Sequence, residues 1–172
     1  MATIMQTPRI EKVTVNIGVG ESGERLGKAE KLLEKLTTKK PIRTITKKKI
    51  PTWDLKKGEA IGCKVTLRGK DAEEVLKRTL YAKNNALPPG CFDKSGNVAF
   101  GIKEYIDIQG LKYDPDIGIF GMNVNINLGK RGYHVQRRAR NPVKIPPKAR
   151  VSQDEAKEFM KNNFGVKIEE EG

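Results

Sequence analysis

The chain has 172 residues, 32% of them charged, and a formal net charge of +13 at neutral pH. That length suits one domain with a real core, since a chain of roughly 150 residues buries about 68–70% of its surface on folding. Two cysteines with no close-spaced pair and a single histidine, His134, argue against a structural zinc site, and no apolar run approaches the ~20 residues of a membrane-spanning helix.

Such a charge speaks about partners and not about fold, and its distribution says more than its size. Lys39 to Lys57 holds eight Lys and Arg against the single acid Asp54, and Lys130 to Arg150 holds eight with no acid at all. Together these stretches exceed the net charge of the whole chain, so the remainder is close to neutral. Two basic patches on a neutral body point to nucleic acid; the plainer alternative is a pair of solvated loops. Cys63 and Cys91 read as idle thiols of a cytoplasmic protein in preference to one long-range disulfide. The opening MATIMQTPRIEKV lacks the charged start and apolar core of a signal peptide. The expectation is a cytoplasmic protein with no membrane partner.

In chain order, Ile10 to Ile17 predicts a strand with Val13, Val15 and Ile17 on one side and Thr14 and Asn16 on the other. GVGESG (Gly18 to Gly23) follows, then a helix over about Leu26 to Leu36 with Leu26, Ala29, Leu33 and Leu36 on one face. Strand, glycine-rich turn and helix match GxGxxG, the dinucleotide fingerprint. The next strand, Ile42 to Thr46, however, ends in Lys47, Lys48 and Lys49 where a ribose-binding acid belongs, and no repeated parallel units follow. A tight turn using the positive φ open to glycine is the preferred reading. The competing one is an NADP-dependent enzyme with Arg43 or Lys47 on the 2′-phosphate.

Pro51 breaks regularity, and Trp53 to Lys57 with Gly58 looks like an exposed hairpin tip. Trp53 either stacks on a base or sugar or pins its loop to the core. Glu59 to Gly69, EAIGCKVTLRG, is the stretch around which the chain is organised: Ile61, Cys63, Val65 and Leu67 alternate with Gly62, Lys64, Thr66 and Arg68. A basic loop thus feeds a strand whose outer face carries two cations and a hydroxyl. A helix follows over about Asp71 to Asn84, with acids in its first turn, Lys83 in its last and a stripe of Ala72, Val75, Leu76, Thr79 and Leu80.

Asn97 to Gln109 reads as one or two strands around Gly101, with Ile102, Glu104, Ile106 and Ile108 sharing a parity. Tyr113 to Gly121 is turn-rich. Met122 to Leu128 is the clearest strand: Met122, Val124, Ile126 and Leu128 inward, Asn123, Asn125 and Asn127 outward, although asparagine is a poor strand former. Lys130 to Arg150 has no periodicity and reads as an extended arm or a long loop, one that orders on binding. Ser152 and Glu155 form a capping box for a last helix with a stripe of Ala156, Phe159 and Met160. Val166 to Ile168 reads as an edge strand and Glu169 to Glu171 as a frayed tail.

This order implies an α+β fold: a mainly antiparallel sheet with helices packed on one face, plus the basic loop at 47–60 and the basic insertion at 130–150, in a single domain over 1–172. Thr14, Asn16, Lys64, Thr66 and Arg68 then share the other face. A flat, basic, hydrogen-bonding platform suits an RNA helix read by shape, phosphates and 2′-OH groups. No catalytic constellation emerges, since His134 lacks a placed carboxylate and neither cysteine has a visible base.

PRIEKVTVNIGVGE, the Lys-Pro of TTKKP, TKKKI, GEAIGCKVTLRG, CFDKSGNVAFGIKE and YDPDIGIFGMNV, in that order, resemble the large-subunit ribosomal protein five family, the universal 5S-rRNA-binding ribosomal proteins. The likeness runs from about Pro8 to Val124 and resumes in the last helix; the insertion and the length resemble the archaeal type. The resemblance implies a non-enzymatic place in the central protuberance of the large subunit, without cofactor or metal. The implied partners are 5S rRNA, large-subunit rRNA, P-site tRNA, a small-subunit head protein across the intersubunit bridge, and neighbouring ribosomal proteins. Family 5S contacts map onto Asn16 and Thr66, and a third, usually Gln, aligns with Lys39, which cannot accept a hydrogen bond. The tRNA-contacting loop aligns with Trp53 to Ala60, which makes Lys56, Lys57 and Gly58 its tip. Thr14, Lys64 and Arg68 are expected to support 5S binding, and Lys47, Lys48, Lys49, Arg137, Arg138 and Arg140 to make further RNA contacts. A free-standing RNA chaperone without 5S preference is the remaining alternative.

Overall fold

In chain order the backbone makes β1 (Arg9–Gly18), α1 (Glu24–Thr37), β2 (Ile42–Ile45), β3 (Ala60–Leu67), α2 (Lys70–Tyr81), β4 (Ala86–Leu87), β5 (Asn97–Ile102), β6 (Met122–Gly129), the one-turn helix α3 (His134–Arg137), α4 (Gln153–Phe164) and β7 (Lys167–Ile168). The structure is a computed structural model and describes residues 5–169. The expected fray of Glu170 and Glu171 lies outside those residues.

Five strands form one antiparallel sheet in the order β2-β3-β1-β6-β5. Alternation decides which side is buried. Val13, Val15 and Ile17 of β1, Cys63, Val65 and Leu67 of β3, Met122, Val124, Ile126 and Leu128 of β6, and Val98, Phe100 and Ile102 of β5 all face one core. Leu26, Ala29, Leu32, Leu33 and Leu36 of α1, the expected stripe of α2, and Ala156 and Met160 of α4 close that core. Leu32 also belongs to the stripe because it sits between Ala29 and Leu36 on the same helical face. The helices cover one face and leave the other open, as an α+β fold with a one-sided sheet requires.

The Gly18–Gly23 stretch is a turn: Gly20 and Gly23 hold φ of +86° and +124°. An antiparallel sheet follows it, so the parallel frame of an NADP site is missing from this region; of its two candidate cations, Arg43 is engaged with Glu30 of α1 at 2.5 Å and Lys47 is exposed.

Three expectations need correction. Asn97 to Gln109 is one strand that stops at Ile102, and Tyr105–Asp107 is a 3-10 turn. The turn buries Tyr105 and Ile108 while Glu104 is exposed, so the shared parity of positions 102 to 108 does not hold. Helix α2 ends at Tyr81, short of Asn84, because Asn84 and Asn85 take left-handed φ of 53° and 54°. β7 does not extend the main sheet; it pairs in parallel with β4 as a separate two-stranded piece.

Candidate nucleic-acid interface

The open face of the sheet is ordered in rows, because antiparallel pairing sets side chains directly opposite one another. One row runs Ile42–Lys64–Asn16–Asn123–Gly101 across all five strands, and the next runs Thr66–Thr14–Asn125–Ala99. A third holds Lys12, Asn127 and Asn97, with Asn127 Nδ2 donating to Asn97 Oδ1 at 2.6 Å. Thr14, Asn16, Lys64, Thr66 and Arg68 are therefore gathered on one surface or at its margin. No paired outward position carries a carboxylate. Lys64, Thr66, Arg68, Asn123 and Asn125 are exposed, while Thr14 and Asn16 on the central strand are half-buried.

The face is also low in relief. Gly62 lies beside Thr44 and Gly18, where an added Cβ would stand 2.7 Å from the Ile17 carbonyl oxygen and 2.9 Å from Thr44 Oγ1. Gly101 leaves a shallow place beside Asn123, and Ala99 one beside Asn125. Lys12 and Asn97 belong to this surface although sequence reasoning did not select them. Lys12 shares the parity of Thr14 and Asn16, so its signal was present; Asn97 is placed only by the β5–β6 register.

The 47–58 loop, between β2 and β3, is clamped at its base. Thr46 N and Thr46 Oγ1 both donate to the Glu59 carbonyl oxygen, at 2.8 and 2.9 Å, and Gly58 N donates to the Thr46 carbonyl oxygen at 2.8 Å. The Glu59 carboxylate accepts from Lys56 N at 3.0 Å and Ser22 Oγ at 2.9 Å, and these bonds hold its pKa below the usual carboxylate range. Within the loop Ile50 and Leu55 exchange two backbone bonds around a 3-10 turn at Pro51–Trp53. Leu55 is the buried anchor, and Trp53 is 69% exposed. Of the two readings of Trp53, pinning to the core fails. Lys47, Lys48, Lys49, Lys56 and Lys57 are all exposed around this frame, and Gly58 turns the chain with φ of +89°.

Lys39 is not part of the open face. It follows the left-handed Thr38 that ends α1, and its ammonium pairs with Asp71 in the first turn of α2, which holds the Asp71 carboxyl below its ordinary pKa. The pair joins the C-terminal end of α1 to the first turn of α2.

The 130–150 arm is folded back and not extended. Arg137 pairs with Glu11 of β1, and that guanidinium lowers the Glu11 pKa. Lys130 Nζ meets Glu155 at 2.7 Å, Tyr133 Oη donates to the Ala149 carbonyl oxygen at 3.2 Å, and Val143 N donates to the Val135 carbonyl oxygen at 3.2 Å. Arg138 Nε donates to the Asn141 carbonyl oxygen at 2.8 Å within the arm, and Arg140 is exposed. Arg137 is thus spent on tethering, whereas Arg140 presents its charge outward.

Burial pushes the Cys63 thiol up to about 11, so it stays protonated at neutral pH. No cluster of three or more His, Cys, Asp or Glu that could hold a metal occurs among the described residues.

The comparisons with known proteins agree in direction. The Ribosomal protein L5 family profile matches residues 3–56, and the profile of that ribosomal family's C-terminus matches residues 60–159. The large ribosomal subunit protein uL5 of Methanosphaera stadtmanae is 49% identical over 166 residues, covering 96% of this chain and 99% of that protein. The uL5 of Sulfurisphaera tokodaii is 53% identical over 167 residues, covering 96% and 94%. That of Thermoplasma volcanium is 49% identical over 165 residues, covering 95% and 97%. The chain belongs to the ribosomal protein L5 family, in its archaeal form, and is a structural ribosomal protein and not an enzyme.

Proposed function

We propose that this structural constituent of the large ribosomal subunit, at work in the cytoplasm, binds 5S rRNA with the open face of its sheet. The observation that carries the reading is the set of registered rows of Lys, Thr and Asn without a carboxylate, on a face that no helix covers. Lys64, Arg68 and Lys12 neutralise phosphates and supply affinity by counterion release. Thr14, Asn16 and Thr66 offer neutral donors and acceptors to 2′-OH groups and base edges, which set register. Lys39 is paired with Asp71 and reaches a phosphate only by leaving it.

The clamped 47–60 loop is the P-site tRNA contact, with Trp53, Lys56, Lys57 and Gly58 at its tip. Two exposed cations on a preformed turn suit brief, sequence-blind contact with successive tRNA backbones. Lys47, Lys48, Lys49, Arg138 and Arg140 face large-subunit rRNA, with Arg137 as tether. The chain sits in the central protuberance and bridges to a small-subunit head protein, as one domain over 1–172.

The test is a salt titration of binding to 5S rRNA beside an unrelated hairpin RNA of equal length. A preference for 5S that persists as salt rises supports shaped recognition by the face. Equal affinities that fall together would reduce the chain to two basic patches.

A further inference from the structure

One cleft, at the end of the sheet opposite the loop tip, is unused by this reading. It is an open groove of about 1210 Å³ between the arm, the N-terminal segment and α4, lined by Met5, Val135, Val143, Ile145, Pro146 and Phe159 among others. Three of the nine exposed large hydrophobic side chains of the described residues, Met5, Val135 and Val143, converge on it. Concentrated apolar exposure rimmed by polar groups marks an interaction surface more often than chance.

The groove is held open by its own wall. Tyr133 to Ala149, Val143 to Val135, Lys130 Nζ to the Arg150 carbonyl oxygen at 3.3 Å, and Arg137 to Glu11 fix the arm as a clasp. The arm therefore does not collapse onto α4 to bury these side chains.

Charge around the rim limits the occupant. On the arm side Arg131 and Lys144 are exposed and have no carboxylate partner among the described residues. On the α4 side Glu155 is already neutralised by Lys130, and Glu158, Asn162 and Asn163 remain. RNA could meet the two cations, but it would leave the valines wet and would bring phosphates toward Glu158. A basic peptide would be repelled by the arm. The volume exceeds the ~300–1,000 Å³ of a small-ligand pocket.

We propose that this groove docks a segment of a neighbouring protein that inserts apolar side chains against Val135, Val143 and Phe159 and sets carboxylates against Arg131 and Lys144. The arm then has two sides: Arg138 and Arg140 lie outside the groove and are free to meet RNA, and the valine side grips protein. This inference stands apart from the sheet-face reading and survives its failure.

The test uses the full chain assembled into purified large subunits, with Val143→p-benzoylphenylalanine or, as a second position, Val135→p-benzoylphenylalanine. Both sites are exposed, and unchanged thermal melting of the free protein checks folding. The expected result is a light-induced adduct with a protein, mapped to a segment carrying both apolar and acidic residues. Adding Arg131→Glu and Lys144→Glu should lower the adduct yield several-fold. An adduct with rRNA, an adduct with a protein segment that lacks carboxylates, or no adduct at either position would overturn the proposal.

Discussion

At the scale of single residues, hydrogen bonds and charges on the open face separate cleanly. Thr66 is exposed and opposite Thr14, so Thr66→Val removes a hydroxyl and nothing else. Affinity for 5S rRNA should fall by about 1 kcal/mol, the net worth of one hydrogen bond, with the salt slope unchanged. Lys64→Ala should weaken binding and also reduce the slope by about 0.9. Parallel salt titrations of the two variants check this, and equal slopes would remove Lys64 from the phosphate contacts. Gly62→Ala belongs here as well. Its Cβ would press on the Ile17 carbonyl oxygen and Thr44 Oγ1, so urea unfolding should show a loss of about 1–3 kcal/mol. Alternation in EAIGCKVTLRG already gave the outward parity of Lys64 and Thr66. Their neighbours across the sheet were not readable, because register depends on pairing with strands far away in sequence.

At the scale of elements, the loop and the arm differ in how they are held. The 47–58 loop is clamped at its base by backbone bonds to Thr46 and Glu59, and its lysines take no part in the clamp through their side chains. Lys56→Ala with Lys57→Ala should therefore leave 5S affinity within error and weaken tRNA binding to assembled ribosomes. Filter binding of both RNAs checks the division. Among the bonds that hold the arm is a side-chain pair to the sheet, Arg137 with Glu11, and this tether should respond to pH. Because the folded Glu11 pKa lies below its ordinary 4.5, the tether is complete above that value. It is lost as pH falls through the depressed one. Hydrogen exchange across 134–138, measured relative to the intrinsic rate at each pH, should accelerate at acid pH in the wild type. In Glu11→Gln it should already be fast at pH 7, and protection in that variant equal to wild type would show that the pair does not hold the arm. Local pattern located β6, α1 and the capping box of α4, which the structure shows complete at Ser152 and Glu155. It misread Tyr105–Asp107, where a 3-10 turn brings Tyr105 into the core with a spacing that strand alternation does not have.

At the scale of the whole molecule, the two family matches divide the chain inside the basic loop, at residues 56 and 60, yet β2 pairs with β3 across that division and β1 pairs with both β3 and β6. Removing either part would strip a partner from β1 or β3, so thermal unfolding should be one cooperative transition with calorimetric and van't Hoff enthalpies equal. Two resolved transitions would count against a single domain. The sequence by itself determined the composition of each strand's two sides, the neutral body with two basic stretches, and the motifs that carry the family resemblance, because periodicity and charge are local properties of the chain. Only the tertiary structure decided that the outward sides of five strands form rows on one uncovered face, that Leu55 and not Trp53 anchors the loop, and that the arm folds back over a groove. The first and last depend on contacts between residues distant along the chain, and the second on how the loop folds on itself, none of which periodicity or charge encodes.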